Sequence, residues 1–338
     1  MTREVSLGLQ SDKQPGSYRP IAELAERLGF DTISVFSDLM FQSPLLPAME
    51  IAQATRRIKF GVACWNPYTV HPYEIAGQIA ALDMVSHGRA YLGLARGAWL
   101  DEIGVEQPKP IAHLRESAEL IYRLLRGDDS GFQGEVFSLS PGTALRYRPF
   151  RPDPPLLVGA WGPRAAALAG ERASEIKVGG TANPAMMRTI RQRLLPGEMA
   201  AGRTAGETGI VAGAVTVVDR DAAAARRRAR TEVAMYLPVV AGLDTTVDIP
   251  ADLLDRLGAL AAESRFDEAG RLIPDDLLDR FCFSGSPEQV AAQAQRLFEA
   301  GAARVEFGPP QGLTEMTGVE LLGTAVLPAL ELGRQPVG

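Results

Sequence analysis

Six apolar runs in this chain end on residues that can do chemistry. Gln10 and Ser11 follow the first run, Ser37 and Asp38 the second, and Cys64-Trp65-Asn66-Pro67-Tyr68 the third. Arg96-Gly97-Ala98-Trp99, Ala160-Trp161-Gly162-Pro163 and Gly179-Gly180 stand at the ends of the next three. All three tryptophans of the chain fall in this set. An indole is a broad apolar face that suits a planar ligand. It can equally plug the top of a core, and for each tryptophan taken singly both readings stay open. Gly162 and the Gly179-Gly180 pair precede helix starts, where small residues let backbone N–H groups approach an anion such as phosphate. Loops use glycine for turning as well, so this signal is weak alone. Asp38 closes an apolar run, and a carboxylate placed there needs a partner or a function. A helix cap or a structural hydrogen bond is the competing reading.

For these residues to meet, the runs that carry them must lie side by side. Val-, Ile- and Leu-rich runs at 5–10, 32–36, 58–63, 90–94, 156–160, 176–178, 210–218 and 304–307 read as strands. Amphipathic stretches at 17–28, 44–55, 72–85, 113–125, 164–171, 184–194, 222–236, 287–300 and 318–331 read as helices. Strands alternating with helices imply a parallel sheet. Eight repeats without a second core favour a closed (β/α)8 barrel, one domain over residues 1–338. In such a barrel the chemistry sits where strands end and βα loops begin. Two stretches, at about 127–155 and 237–285, break the rhythm and are expected near the mouth. The first holds a strand-like pair at 135–139 and 144–148, and the second a helical piece at 251–260.

Composition removes several function classes. The net charge of −6 is spread over interspersed acids and bases, so nucleic acid is not the expected partner. Arg226, Arg227, Arg228 and Arg230 read as a solvated helix face with Glu232 beside them. No apolar run approaches a membrane span, and MTREVSLGLQ has no apolar leader. Cys64 and Cys282 form neither a disulfide framework nor a CxxC metal pattern, which fits the reducing cytoplasm. No Walker A loop, no GxGxxG after the first strand, no GxSxG and no HExxH occurs. Of the three histidines, His71 reads as a cap before Pro72, and His87 and His113 carry little catalytic weight. No metal site is expected.

The loop residues also carry a resemblance. Gly61-Val62-Ala63-Cys64 followed by Asn66-Pro67-Tyr68-Thr69-Val70-His71-Pro72 is similar to a segment of the bacterial luciferase-like superfamily, in its coenzyme F420-dependent branch. So are Gly88-Arg89-Ala90-Tyr91-Leu92-Gly93-Leu94-Ala95-Arg96-Gly97, Val158-Gly159-Ala160-Trp161-Gly162-Pro163 and Gly285-Ser286-Pro287-Glu288-Gln289-Val290. The branch includes methylenetetrahydromethanopterin reductase and F420-dependent glucose-6-phosphate dehydrogenase. The resemblance runs from Gly8 to about Leu332.

It implies a flavin or deazaflavin ring at the mouth, backed by a non-prolyl cis bond between Ala63 and Cys64. Coenzyme F420 is the implied cofactor, with FMN as the alternative. The implied holders are Asp38, Ala63, Cys64, Asn66, Arg96, Gly97, Ala160, Trp161, Gly162, Gly179 and Gly180, with Trp65 and Trp99 lining the substrate side. Gln10 and Asp38 are the candidates for catalysis. The implied reaction moves a hydride between the deazaflavin C5 and a C=N, C=C or C–OH carbon of a small molecule, in a homodimer. An FMN-dependent monooxygenase, or a barrel that binds a ligand without catalysis, are the other readings. The chain departs from its relatives in places: Leu39 stands where the sugar phosphate dehydrogenases have histidine, Ala98 where they have an acid, and Gln10 where methylene reductases have glutamate. The known acid/base groups of both are therefore missing, which puts either named activity in doubt.

Overall fold

A computed structural model describes residues 3–333. Its strands are β1 (Glu4–Leu9), β2 (Thr32–Val35), β3 (Lys59–Val62), β4 (Ala90–Ala95), β5 (Phe132–Gln133), β6 (Ser138–Leu139), β7 (Leu156–Gly159), β8 (Glu175–Gly179), β9 (Gly209–Val218), β10 (Cys282–Gly285) and β11 (Arg304–Gly312). The helices are α1 (Tyr18–Leu28), α2 (Leu45–Ala54), α3 (Pro72–Val85), α4 (Pro110–Arg126), α5 (Pro163–Arg172), α6 (Pro184–Ala200), α7 (Ala222–Val240), α8 (Ala251–Ala262), α9 (Phe266–Arg271), α10 (Asp275–Phe281), α11 (Pro287–Glu299) and α12 (Glu315–Leu321). Parallel pairing runs β9-β11-β1-β2-β3-β4-β7-β8, and β8 pairs back onto β9. The sheet is therefore a closed barrel of eight strands, as the alternation predicts.

Period-two patterning builds the wall. Val5, Leu7 and Leu9, Ile33 and Val35, Ile176 and Val178, and Val305 and Phe307 belong to the main core under the helices. The residues between them must face the barrel axis. On β8 those are Glu175 and Lys177, and on β11 Arg304 and Glu306. Five of the helices, α3, α4, α5, α6 and α11, open with proline at the first turn. Proline there gives up an N–H that has no intrahelical partner and presets the helical φ. α11 adds a capping box between Ser286 and Gln289.

The two excursions differ from expectation in detail. The first leaves the foot of α4 and re-enters at the foot of β7, so only its tip approaches the mouth. Glu116 of α4 takes the N–H groups of Glu135, Val136 and Phe137 at 2.7, 3.0 and 3.0 Å. Its strand pair is β5 with β6, not 135–139 with 144–148. A two-residue ladder with a short connection carries too little periodicity to place from sequence. The second excursion is larger than it reads. α7 starts it, α8, α9 and α10 follow, and β10 closes it by pairing in parallel with the end of β9. This cap has its own apolar core, with Val233, Leu237, Leu257, Leu278 and Phe281. α11, rather than α7, therefore packs as the barrel helix between β9 and β11. β10 escapes the sequence reading because Cys-Phe-Ser-Gly is only one short run beside a polar stretch.

Candidate active site

β3 and β4 pair as Phe60 with Ala90 and Gly61 with Tyr91, but Trp65 bridges Leu94. One extra residue is thus accommodated on β3, which is a bulge. It falls at Ala63-Cys64, and the bond between these two is cis. Gly93 makes room for it: a Cβ at that position would stand 2.1 Å from the Val62 carbonyl oxygen. The Cys64 thiol lies toward the barrel interior, 3.1 Å from where a side chain on Gly159 would begin. Burial pushes that thiol up to about 12, with Lys177 opposing and Glu306 adding to the shift. Cys64 therefore stays protonated and is not a nucleophile.

On the two strands beside the bulge, Gln10 lies just after β1 and Asp38 just beyond β2. The Gln10 side-chain amide donates to Asp38 Oδ2 at 3.2 Å. Gln10 is 4 % exposed, and its Oε1 has no hydrogen-bond partner among the described residues. Burial raises the pKa of Asp38, opposed by the Gln10 hydrogen bond and by the charge of Lys177. Asn66 Oδ1 takes the N–H groups of Tyr68 and Thr69 and the Thr69 hydroxyl, at 3.2, 3.0 and 3.0 Å, and so folds the loop after β3. Gly97, at φ 87°, packs on Asn66. Arg96 is exposed and clasped by Gln107, Nε to Oε1 at 2.8 Å, with Gln107 Nε2 returning to the Arg96 carbonyl at 2.7 Å.

The three tryptophans divide. Trp99 stands at the mouth, its ring 6.2 Å from that of Tyr236 on α7. Trp161 is half-buried, and Arg193 of α6 donates to its carbonyl at 2.5 Å and to Thr245 of the cap at 3.1 Å. Trp65 does not line the open side. It is 1 % exposed and in the main core, and its indole N–H donates to Gln78 of α3 at 2.9 Å. The bulge explains this, because one extra residue turns Trp65 outward toward the helices. Gly180 is not a free anion donor either. Its N–H goes to the Gly213 carbonyl at 2.6 Å, and Val240 covers it. Gly162 keeps the expected role in form: it is the N-cap residue of α5, with no side chain capping that end. His71 is a cap, its Nδ1 accepting from Tyr73 N at 3.1 Å, and His113 stacks on Tyr68 with ring centres 4.0 Å apart.

What the loop residues do not reveal is the charge beneath them. Lys177 and Glu306 form an ion pair inside the barrel, 9% and 1% exposed at their side chains. The Lys177 ammonium also lies 4.1 Å from the centre of the Phe36 ring. One layer lower on the same strands, Arg304 holds Glu175 through two bonds of 3.0 and 2.6 Å. Tyr91 donates to Ser34 at 2.8 Å between these layers and β2. Both charged strands did carry a signal: a lone charge in the middle of Ile176-Lys177-Val178 and of Val305-Glu306-Phe307 falls on the inward phase.

The family model described as luciferase-like monooxygenase matches residues 2–304. The chain belongs to the luciferase-like monooxygenase family. Within reach of that family, it is 28% identical over 319 residues to 5,10-methylenetetrahydromethanopterin reductase of Archaeoglobus fulgidus, covering 91% of this chain and 94% of the relative. An F420-dependent glucose-6-phosphate dehydrogenase of Nakamurella multipartita is 27% identical, covering 94% of this chain and 93% of the relative. The solved structure of a coenzyme F420 dependent tetrahydromethanopterin reductase from Methanopyrus kandleri superposes with a TM-score of 0.89 at 25% identity, covering 98% of this chain and 100% of that one. The luciferase-like fold is thus shared over nearly the full length. Among the described residues no helix is long and apolar enough to cross a membrane, and no group of histidine, cysteine and acidic side chains could hold a metal ion.

Proposed function

We propose that this luciferase-like protein is an oxidoreductase that uses coenzyme F420 to reduce or oxidise a small organic molecule. One observation carries the reading: the buried Gln10 and the half-buried Asp38 make an acceptor-rich pair near the bulge at the end of β3. Gln10 Oε1, unpartnered among the described residues, calls for a hydrogen-bond donor. A deazaflavin ring has such an N–H, and the near full-length similarity to F420-dependent relatives points the same way. The residues fit the group.

When bound, the cofactor supplies a hydride donor or acceptor at C5 of its ring. The protein's part is to bind, orient and manage protons. Gln10, Asp38, Asn66 and Gly97 would hold the ring end with the backbone of Ala63 and Cys64. Arg96 and the backbone from Ala160 to Gly162 would hold the anionic tail, the N-terminus of α5 adding its dipole. Gly180 shapes the wall under Val240 rather than donates. Trp99 and Tyr236 would face the substrate, and Trp65 plays its part only as core. Asp38 is the ionisable group nearest this chemistry. A carboxyl whose pKa is raised by burial gives up or takes a proton closer to neutrality. The substrate belongs to a class that needs at most that single carboxyl, such as a molecule with a reducible C=N, C=C or a C–OH carbon. The same reading takes the protein to be a homodimer in a reducing cytoplasm, in keeping with its two free cysteines.

Titration of the purified protein with F420 and with FMN tests this, read as quenching of cofactor fluorescence. Quenching by micromolar protein with F420, and none comparable with FMN, is expected. Silence with F420 ends the proposal, and tight FMN binding with oxygen uptake would replace it by a monooxygenase. Asp38→Ala is expected to weaken F420 binding about tenfold or more, the loss of a charged hydrogen-bonding group.

A further inference from the structure

The interior of a (β/α)8 barrel is ordinarily filled by branched apolar side chains. Here two of the strands, β8 and β11, put a charge at two successive inward positions each. The lower pair, Arg304 with Glu175, has the look of a structural clamp: it is bidentate, and Glu175 reaches solvent. The upper pair differs. Glu306 is fully buried, and glycine at Gly213 gives its side chain space, a Cβ there coming within 3.1 Å of Oε1. The Lys177 ammonium has three N–H bonds and meets the Glu306 carboxylate on one side and the face of Phe36 on another. It points up the barrel to Phe36, just before Ser37-Asp38. Burying such a pair is costly compared with an apolar layer, so its place against Phe36, two residues before Asp38, needs a reason.

We propose that Lys177, anchored by Glu306, is a positioning residue of the reaction: it sets the charge on Asp38 and thereby decides when that carboxyl holds or releases a proton beneath the ligand. In the reducing direction the proton leaves the Asp38 carboxyl for the substrate, and the carboxylate left behind is the charge that Lys177 offsets. In the oxidising direction the same carboxylate takes the proton back. Gln10, just after β1, touches Asp38, and Lys177 of β8, the protonated Cys64 after β3 and Tyr236 of α7 are the titratable groups coupled to it through space. Tyr236 is pushed up to about 12, by burial first and then by Asp38 and other carboxylates, so it is neutral. Lys177 is therefore the one cation acting on Asp38 among these groups, and Glu306 serves by holding it in place.

The chemical use rests on the oxidoreductase reading, but the electrostatics do not, so the test has two arms. The first follows the carboxyl carbon of Asp38 by 13C NMR in the ligand-free protein, assigned with Asp38→Asn. Replacing the pair together, Lys177→Met with Glu306→Leu, keeps the barrel interior filled without an orphaned charge. The Asp38 midpoint is expected to rise by about one pH unit or more, a tenfold or greater change in proton affinity. Lys177→Arg, which keeps the cation, is expected to leave it nearly where it is. An unchanged midpoint in the double variant overturns the proposal, and so does a shift as large in the arginine variant. The second arm measures F420 binding against pH by quenching, and its midpoint should move in step with the first. If the NMR midpoint moves while F420 does not bind even to the native protein, the cofactor reading fails and the role of Lys177 stands.

Discussion

Gly93 has no side chain because Val62 leaves no room for one: the carbonyl oxygen of Val62 occupies the place. Gly93→Ala must push the bulge or the β4 backbone aside, at a cost of about 1–3 kcal/mol. The urea midpoint is expected to fall accordingly, and F420 affinity to fall further than stability alone explains. Glu306 sets a second expectation. Burial would raise its pKa, but Lys177 and Arg304 outweigh this and hold it below the ordinary 4.5. The unfolded chain thus binds this proton more readily than the folded one. Its stabilising contribution is complete above the unfolded value and is lost as pH falls through the folded one. Glu306→Gln should lower the urea midpoint at neutral pH and flatten its decline on the acid side relative to the native protein. At this scale the sequence was half legible. Gln10 does meet Asp38 and Gly97 does pack on Asn66, because strand ends are marked by where apolar runs stop. Trp65 was not readable, since one extra residue in a bulge reverses which way a side chain points. Lys177 and Glu306 lay within strands rather than at their ends, where attention to loops could not find them.

The cap is the element whose stability differs most from its neighbours. α8 buries only Leu257 fully, whereas α3 and α6 bury several side chains each. Native-state hydrogen exchange should therefore find the amides of α8 opening well before those of β1, β9 and β11. Equal protection of α8 and the barrel strands would contradict this. α7 is the firm part of the cap. Arg226 reaches Asp279 at 2.7 Å and Asp275 at 2.8 Å, and Arg230 bonds to Asp275 as well. The arginine-rich stretch is thus not simply a solvated face, as its composition implied: two of its arginines tie α7 to α10. Arg228 alone pairs within the helix, with Glu232 at 2.6 Å. The helix at 251–260 was legible from its periodicity, but the strand β10 was not. Four residues give no period to count, and its identity as a strand comes wholly from the partner it finds on β9.

The chain has one large core between barrel and helices, a smaller one within the cap, and a small apolar cluster of Ala63, Tyr91, Leu157 and Val211. The first was evident from eight regular apolar runs. The second was hidden because its residues are spread from the long α7 over several shorter elements with no common period. The interior of the barrel, mostly polar and glycine-bearing, is a third environment that the outer pattern does not announce. Its charges lie where water is scarce, so salt should weaken surface pairs such as Arg203 with Glu207 far more than Lys177 with Glu306.

The cap leaves and rejoins the barrel at nearly one point. Val218 and Gly285 are register partners, and the amide of Asp219 meets the Gly285 carbonyl at 3.1 Å. The whole stretch from 219 to 284 is hence a cassette with one seam in the chain, fastened elsewhere by the Ala182 amide donating to the Arg280 carbonyl at 2.8 Å and by Arg193 donating to Thr245 at 3.1 Å. A short turn joining Val218 to Gly285 should leave a barrel that still melts cooperatively, which circular dichroism can follow. Cassettes from sibling enzymes spliced at that seam would exchange what the mouth accepts without recutting the barrel. Descent could have diversified such proteins by the same tailoring.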